Sequence, residues 1–564
     1  MQIHNVENAM TIATPVLIVG AGPVGLALAG DLGHRGQECW LIERSDGRIT
    51  QPKMDMVGIR TMEFARRWGI AGWVRAAPYP RDYPQDNVYV ESLTGFEFGR
   101  EIVPSKNDEP IPPQSPEKRE RCPQDMFDPI LRRFVGQFPG VTQKYGTELT
   151  GFVEYPDKVV ATLRDLDSGE SHPVETRYLV GTDGGASFVR ETAGIRMQGT
   201  PVLTHTVNII FRTPDLPGLH NKGKAYRFIF IGPEGTWLTI VAINGRDRWR
   251  LSIVGSQEKM DYNDDEIRAL VLRAVGRPFE FEIESVMPWV RRELVAERYL
   301  TGRVFIAGDA AHLMSPTGGF GMNTGIGDAI DLSWKLDAVL KGWGGPALLK
   351  SYEAERRPVA QRNVAASSSN LKMMLEPRKR PPPPEIFMPG KQHDAARAAY
   401  GAWYGNLMKQ EWYTIGIHLG YVYADSPVVI DDGSPKPADE TATYTQTSHP
   451  GGRAPHVWLA DGRSTLDLFG DGFVLLRLGA DAPDGAGLAR AAAAVGMKLS
   501  VIPIDQPKVA AAYERKLILV RPDGHTCWRS DTEPANPASI IDAVRGAGAP
   551  AASIGARARS LVEG

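Results

Sequence analysis

The sequence predicts an α/β chain: a βαβ unit near its start, an antiparallel sheet inserted in its middle, and a smaller α/β unit at its end. Three observations predict this. A short apolar run, VLIVG, enters a glycine turn and an Ala/Leu-rich helix (AGPVGLALAGDLGHRG), and a second apolar run, CWLIER, follows. Buried parallel strands read as such continuous apolar runs. Between residues 200 and 255 the segments TVNIIFR, YRFIFIG, TWLTIVAI and WRLSIVG alternate apolar and polar positions, as antiparallel strands with one covered face do. Past residue 450 the texture changes to FVLLRL, an Ala-rich helix, LSVIPI and LILVRPDG, a unit with its own core.

The elements follow in order. Residues 1–14 read as a loose leader, and 15–200 as the first part of the βαβ domain. Within it, 75–120 is Pro- and charge-rich and reads as irregular, DMFDPILRRFVGQF as a helix, 143–164 as alternating strands, and YLVGTDGG as a strand end. Residues 201–295 form the inserted sheet. Residues 296–375 return to the first domain with the strand and turn VFIAGDAAH and the amphipathic helix NTGIGDAIDLSWKLDAVLKG. Residues 376–450 read as a helical and extended connector, within which PRKRPPPPEIFMPG fits neither a helix nor a central strand. Residues 451–564 are the terminal unit.

Composition excludes several classes of function. Lys plus Arg is 64 against 67 for Asp plus Glu, a formal net charge of −3, so no basic footprint for nucleic acid is present. The three cysteines, Cys39, Cys122 and Cys527, are far apart without a CxxC, which argues against a disulfide framework and a cysteine metal cluster. No metal site is expected. The longest apolar stretch, PVLIVGAGPVGLALAG, is too glycine-rich for a good membrane helix, and Asp31 follows at once. A soluble, cytoplasmic protein is expected.

The sharpest motif is Gly20-x-Gly22-Pro23-x-Gly25, directly after a strand and opening a helix. Gly20 permits the tight turn, Gly22 lets the backbone approach a pyrophosphate, and Gly25 lets helix and strand pack closely. Phosphates would face the free N–H groups at the helix start. Glu43 ends the next strand, where an acid binds ribose hydroxyls. This is a Rossmann-like dinucleotide signature. A second motif carries Asp183, Gly184, Ser187 and Arg190. A third, GRVFIAGDAAHLMSPTGGFGMNTGIGDA, ends a strand at Gly308 and Asp309. Its run from Pro316 through Gly319, Phe320, Gly321, Met322 and Asn323 offers stacked backbone N–H groups at a helix start, a nest for partial negative charge.

These three motifs in this order resemble the single-component FAD-dependent aromatic hydroxylases, over roughly residues 15–365. The resemblance implies an FAD-binding domain of the glutathione-reductase type with an inserted antiparallel substrate-binding sheet. It implies FAD as cofactor, NADPH or NADH as co-substrate, and hydroxylation of a phenolic aromatic by O₂ through a flavin C(4a)-hydroperoxide. Gly20, Gly22, Pro23 and Gly25 would hold the pyrophosphate, Glu43 the adenosine ribose, and Arg44 would lie beside the adenosine. Arg121 and Gln124 match an Arg-x-Pro-Gln element on the ribityl-phosphate side, and Leu149 would touch the adenine. Asp309 would bind the ribityl chain, and backbone from Pro316 and Gly319 to Asn323 the flavin pyrimidine ring. Asp183 and Arg190 would support FAD, or serve the fold alone.

Residues 55–63, DMVGIRTME, resemble the Asp-x₄-Arg-Thr-x-Glu element of phenol hydroxylase-type enzymes such as the dichlorophenol hydroxylases. Asp55 would be the active-site carboxylate, since a base near the substrate hydroxyl favours the more reactive phenolate; the other reading is a cap for a helix starting near Val57. Arg60 and Glu63 suit a helix-surface pair. Tyr226 is the first choice to orient a phenol, and Phe228, Phe230, Trp237 and Trp249 would line the substrate pocket or form core. His312 reads as a satisfied structural histidine. The terminal unit resembles the thioredoxin-like tail of these hydroxylases but lacks CxxC, leaving packing or a homodimer contact as its role. Partners are a small phenolic substrate and O₂, with no nucleic acid and no membrane. The alternative is Baeyer–Villiger insertion or epoxidation of a polyketide-like aromatic; a catalytically silent flavin-bound scaffold is the remaining reading. No WxWxIP element of flavin halogenases and no second dinucleotide fingerprint occurs.

Overall fold

The computed structural model describes residues 12–49 and 51–548. Most of the expected leader (1–11) and the end of the terminal unit (549–564) lie outside the described residues. The first strand, Ile12–Val19, begins before the expected Pro15.

The first sheet has eight strands; five of them are parallel, in the order Val141–Tyr145, Cys39–Glu43, Ile12–Val19, Ser171–Gly181 and Val304–Ile306, and Thr147–Glu154, Val159–Asp165 and Leu300–Thr301 join them antiparallel. The central runs VLIV, CWLI, YLV and VFI are apolar and largely buried because helices cover them. Helix Pro23–His34 packs between Gln124–Val135 and Gly321–Leu340. The close approach at its start is real: a Cβ on Gly25 would stand 2.0 Å from the Gly20 carbonyl oxygen.

The second sheet also has eight strands. Its order is His312–Leu313, Glu282–Ala296, Met197–Arg212, Arg248–Ser256, Gly235–Ala242, Arg227–Gly232, Asn87–Val90 and Glu97–Glu101. The last two strands come from the segment expected to be irregular. NVYV is short, and it is held by pairing in parallel with Arg227–Gly232, a partner far along the chain that local propensity does not register.

Alternation along these strands separates two faces. Phe228, Phe230, Trp237 and Trp249 all belong to one apolar cluster, together with Ile267, Val271 and Val275 of helix Asp264–Val275. That helix is fixed by a reciprocal Asn263–Glu266 capping box. The four aromatics are therefore core, which corrects the expectation that they line a substrate pocket. The odd-numbered positions of strand 248–256 go to this core, and the even ones (Arg250, Ser252, Val254) turn to the other face. That other face is covered by helices Ser351–Met374 and Asp394–Trp412, the latter lying in the expected connector.

The third sheet runs Leu499–Ile504, Phe473–Leu478, Leu517–Val520 and Thr526–Ser530, with the first pair parallel and the rest antiparallel, a thioredoxin-like arrangement. Cys527 is buried in it, and burial pushes its thiol well up, away from redox use. This unit is joined to the first by buried charge. Arg521 bonds Glu355, and Lys335 bridges Asp331 and Glu355 at 2.7 and 2.6 Å. Arg60 pairs with Glu63 at 2.7 Å, and Glu63 also takes Arg453 from the terminal unit. The Arg60–Glu63 pair is thus structural as expected. It sits buried at a domain contact, however, and not on a helix surface, because Arg453 and Ser115 close over it.

Two outcomes follow. Trp249→Ala should cost about 3–5 kcal/mol by opening a core cavity; chemical denaturation checks this, and substrate KM should not move. Burial pushes the Glu63 carboxyl up, but the Arg453 and Arg60 charges and their hydrogen bonds outweigh it and hold it at about 2, below its ordinary 4.5. A depressed carboxyl stabilises the folded state above its unfolded value and loses that contribution as pH falls through the folded one. Glu63→Gln should therefore lower stability by about 3 kcal/mol at pH 7. The deficit should shrink between roughly pH 4.5 and 2 in denaturation series at stepped pH.

Candidate active site

The three motifs meet at the carboxyl ends of the parallel strands. Thr182 N–H donates to the Val19 carbonyl at 2.8 Å, and Thr182 Oγ1 donates to the Gly20 carbonyl at 2.8 Å. Ala307 N–H donates to the Gly181 carbonyl at 3.0 Å. Gly308 packs on Val24, and a Cβ on Gly325 would stand 2.9 Å from Gly308 Cα. The turns touch mainly through backbone, with the Thr182 hydroxyl and the Val24 side chain between them. Beside them, a Cβ on Gly22 or Gly319 would meet nothing within 4 Å. The result is a cradle with unfilled space over a helix start, which fits a pyrophosphate.

The turn at Gly308 is held from behind. Asp328, fully buried, accepts from Gly308 N–H at 3.1 Å, meets His312 Nε2 at 2.9 Å and accepts from Arg356 Nε at 2.8 Å. Burial pushes its carboxyl up, and the Arg356 and His312 interactions more than reverse this, keeping it below the usual range. His312 is buried behind the turn and held through Nε2, but its Nδ1 has no hydrogen-bond partner among the described residues, so it is not the fully satisfied histidine expected. Asp309 points the other way, exposed and with no hydrogen bond to a described residue, so its carboxylate is open to a ribityl hydroxyl.

Several residues expected to touch the cofactor also hold the protein's own turns. Glu43 accepts from Ala21 N–H at 3.0 Å and from Ser45, so it braces the glycine turn. Asp183 takes the Ser187 hydroxyl and Val189 N–H, the start of helix Phe188–Thr192. Arg190 donates to the Gly185 and Ala310 carbonyls, tying the second motif to the third. Gln124 links Lys53 N–H to Asp128. Leu149 is buried and Arg44 exposed. In the nest, Pro316 and Gly319 are exposed, Gly321 and Met322 half-buried, and Phe320 packs edge-on against His418. The Asn323 side chain accepts from Gly58 N–H at 2.7 Å and from Thr61 Oγ1 at 2.8 Å, and its amide donates to the Gly319 carbonyl. It stitches the nest to the segment that carries Asp55.

Asp55 does not cap a helix. The helix starts at Ile59 behind Gly58, without a side-chain cap. A two-residue ladder, Met56–Val57 against Glu120–Arg121, sets Asp55 beside Arg121. Its carboxylate accepts from Tyr226 Oη at 2.9 Å and from Arg250 Nη2 at 2.5 Å. Arg121 stacks over the Tyr226 ring at 3.4 Å and donates to Gln85. Burial raises the Asp55 carboxyl, but the Arg250 and Arg121 charges and the two hydrogen bonds win, so it lies below the usual range. It is an ionised acceptor at neutral pH, not a group titrating there. Burial and the Asp55 charge push the Tyr226 hydroxyl up. Sequence reasoning missed Arg250, Asp328 and Arg356. Arg250 alternates with Trp249 in WRLSIV, a signal that it faces away from the aromatic core.

Asp328→Ala should strand Arg356 in the interior and loosen the Gly308 turn. The expected outcome is about 3–5 kcal/mol lost in denaturation, together with a lower ratio of flavin to protein absorbance after purification.

Comparison with known proteins agrees with this geometry. Residues 13–367 match the FAD binding domain family, and residues 447–549 the aromatic-ring hydroxylase C-terminal family. A 4-methyl-5-nitrocatechol 5-monooxygenase of Burkholderia sp is 32% identical, covering 96% of this chain and 98% of the relative. A tetracenomycin B2 monooxygenase-dioxygenase of Streptomyces olivaceus is 30% identical, with 94% and 98% covered. The solved structure of RebC, soaked with chromopyrrolic acid and holding 7-carboxy-K252c, superposes with a TM-score of 0.88 at 39% identity, over 95% of this chain and 100% of that one. No helix among the described residues is long and apolar enough to cross a membrane. The backbone cradle, the two-sheet architecture and these matches together place the chain in the family of FAD-dependent aromatic-ring hydroxylases, flavoprotein monooxygenases with a thioredoxin-like C-terminal domain.

Proposed function

We propose that this protein hydroxylates a phenolic aromatic, consuming NADPH or NADH and O₂. In full, the arene, one NAD(P)H, one proton and one O₂ yield the hydroxylated arene, NAD(P)⁺ and water. The observation that carries this reading is the buried hydrogen-bonded cluster of Asp55, Tyr226 and Arg250.

The backbone at Gly20, Gly22 and Gly25, the Asp309 carboxylate and the nest from Gly319 to Asn323 would hold FAD. FAD, when bound, supplies the chemistry that accepts a hydride and activates dioxygen. Pro23 starts the helix whose N–H groups face the pyrophosphate. The chain's own contribution lies at the substrate. Tyr226 gives its proton to the Asp55 hydrogen bond, so its oxygen lone pairs are open to a substrate hydroxyl. A phenol donating there gains phenolate character, which raises electron density at its ortho and para carbons. Asp55 is the charged anchor of this relay, and Arg250 and Arg121 hold it in the ionised state. Arg121 also fixes the tyrosine ring by stacking.

A second reading keeps FAD and changes the oxygenation outcome, to ring insertion or epoxidation of a polyketide-like aromatic. The relative named both monooxygenase and dioxygenase favours keeping it, and product mass and connectivity separate the two.

Tyr226→Phe should retain FAD and slow product formation roughly 10²-fold, the scale of a lost proton-transfer group. Peroxide release should rise in its place. Coupled assays of NAD(P)H loss, peroxide and product mass check this, and an unchanged rate of product formation would remove Tyr226 from the relay.

A further inference from the structure

A cavity of about 240 Å³ lies where helix Ile59–Arg67 faces the terminal unit. Arg60, Arg66 and Arg67 wall it on one side, and Asp467, Gly470 and Gly524 on the other. One water needs only about 10–15 Å³ of such space, so there is room for a small ligand. Two of the arginines reach across to the terminal unit. Arg67 Nη1 donates to the Pro522 carbonyl at 2.9 Å, and Arg60 Nη2 donates to the Asp523 carbonyl at 2.8 Å. The Arg67 side chain lies across Gly470, where a Cβ would stand 2.7 Å from its Cδ. At Gly524 a Cβ would stand 3.3 Å from Arg67 Nη2 and 3.5 Å from Arg60 Nη2. Two guanidinium ends therefore converge on one glycine in the cavity wall.

The acids around this cavity are committed to other cations. Glu63 is held by Arg60 and Arg453, Asp467 by both arms of Arg66 at 2.7 and 2.9 Å, and Asp471 by Lys498. Arg67 differs from the other two lining arginines: its hydrogen bond to the described residues is the one to Pro522, and it forms no ion pair among them. The charges of Asp31 and Asp523 act on it, but each sits in its own ion pair, with Arg35 at 2.8 Å and with Arg521. Burial, then repulsion from Arg60 and Arg35, outweighs those two acids and pulls the Arg67 guanidinium down to about 10. Its Nε is buried without a hydrogen-bond partner, and so is that of Arg60. A guanidinium carries five N–H donors in a planar fork that matches the oxygens of a phosphate. Most of the Arg67 fork is unspent.

We infer that this cavity binds a phosphate-class oxyanion between Arg67 and Arg60, joining helix Ile59–Arg67 to the 522–524 turn of the terminal unit. The oxyanion takes the open end of the Arg67 fork and separates two like charges that otherwise face each other. The cavity shares no lining residue with the glycine cradle or with the Asp55 cluster, so its occupant is an interdomain ligand and not a reactant. The hydroxylase reading stands or falls without it. Free phosphate and the phosphate of a nucleotide both carry this chemistry, and the experiment separates them.

The test uses the full FAD-loaded chain, without reductant or aromatic substrate, so it reads no turnover. Inorganic phosphate, titrated at constant ionic strength against chloride, should give a saturable heat of binding and raise Tm, whereas chloride alone should do neither. Arg67→Met should weaken phosphate at least ten-fold, the scale of a charge-assisted hydrogen bond. Arg67→Lys should keep part of the affinity, since an ammonium is a point donor without the fork. Should the Met variant fail to fold, the Lys variant serves instead and should lose at least three-fold. Arg196→Met, which removes an exposed arginine elsewhere, should leave binding unchanged. Displacement of phosphate by NADP⁺ and not by NAD⁺ would assign the nucleotide 2′-phosphate, displacement by both a nucleotide pyrophosphate, and displacement by neither free phosphate; each supports the site. Phosphate that gives no saturable heat would overturn the inference. So would an Arg67→Met variant that binds phosphate as tightly as the parent, or one that melts lower while phosphate leaves the parent's Tm unmoved, which is the behaviour of an arginine that only clamps the turn.

Discussion

The buried Asp328 carboxylate is the contact on which the rest of the cofactor site depends. One oxygen holds the Gly308 N–H and His312, and the other holds Arg356. The turn after the last parallel strand is thereby fixed against Val24 of the first helix and against Gly325. A cradle made of backbone N–H groups works only if those groups are aimed before the ligand arrives, since reorganising them would consume binding energy. Arg356 continues outward to the Tyr423 hydroxyl at 3.1 Å, and the Tyr423 ring lies 4.5 Å from that of His525 in the terminal unit. The thioredoxin-like domain thus braces the cofactor site through packed rings and buried charge, with no thiol chemistry of its own.

The substrate sheet works by dividing its two faces. One is a dry aromatic core against helix Asp264–Val275. The other carries Arg227, Arg250 and Arg291, and its helices leave hydroxyl and amide groups facing inward. Charge on that face is held by buried carboxylates: Glu411 pairs with Arg227 and Asp55 with Arg250. The site is polar where an arene bearing a hydroxyl would be oriented and apolar where the sheet must only hold together.

Much of the fold was legible because backbone constraints leave residue fingerprints. Gly20, Gly22 and Gly25 after VLIVG mark a turn that other residues would fill, and Gly308-Asp309 after VFIA marks the second turn. Asp55 and Tyr226, named from a motif and from a strand, prove to be hydrogen-bonded to each other. The illegible parts depend on contacts far along the chain. Alternation showed that Phe228 and Trp249 share a face, yet not which layer covers it. The pairing of Asn87–Val90 with Arg227–Gly232 left no local trace, and Arg60–Glu63 read as a surface pair because Arg453 arrives 390 residues later.

The account turns on oxygen transfer to an arene beside a cradle built of three turns. Its most direct test is a turnover of the purified yellow protein with a panel of phenols under isotopically heavy dioxygen, reading product mass. The account predicts one heavy oxygen atom in the aromatic product and the other in water. Heavy label recovered only as peroxide, with every ligand that perturbs the flavin spectrum returned unchanged, would contradict it.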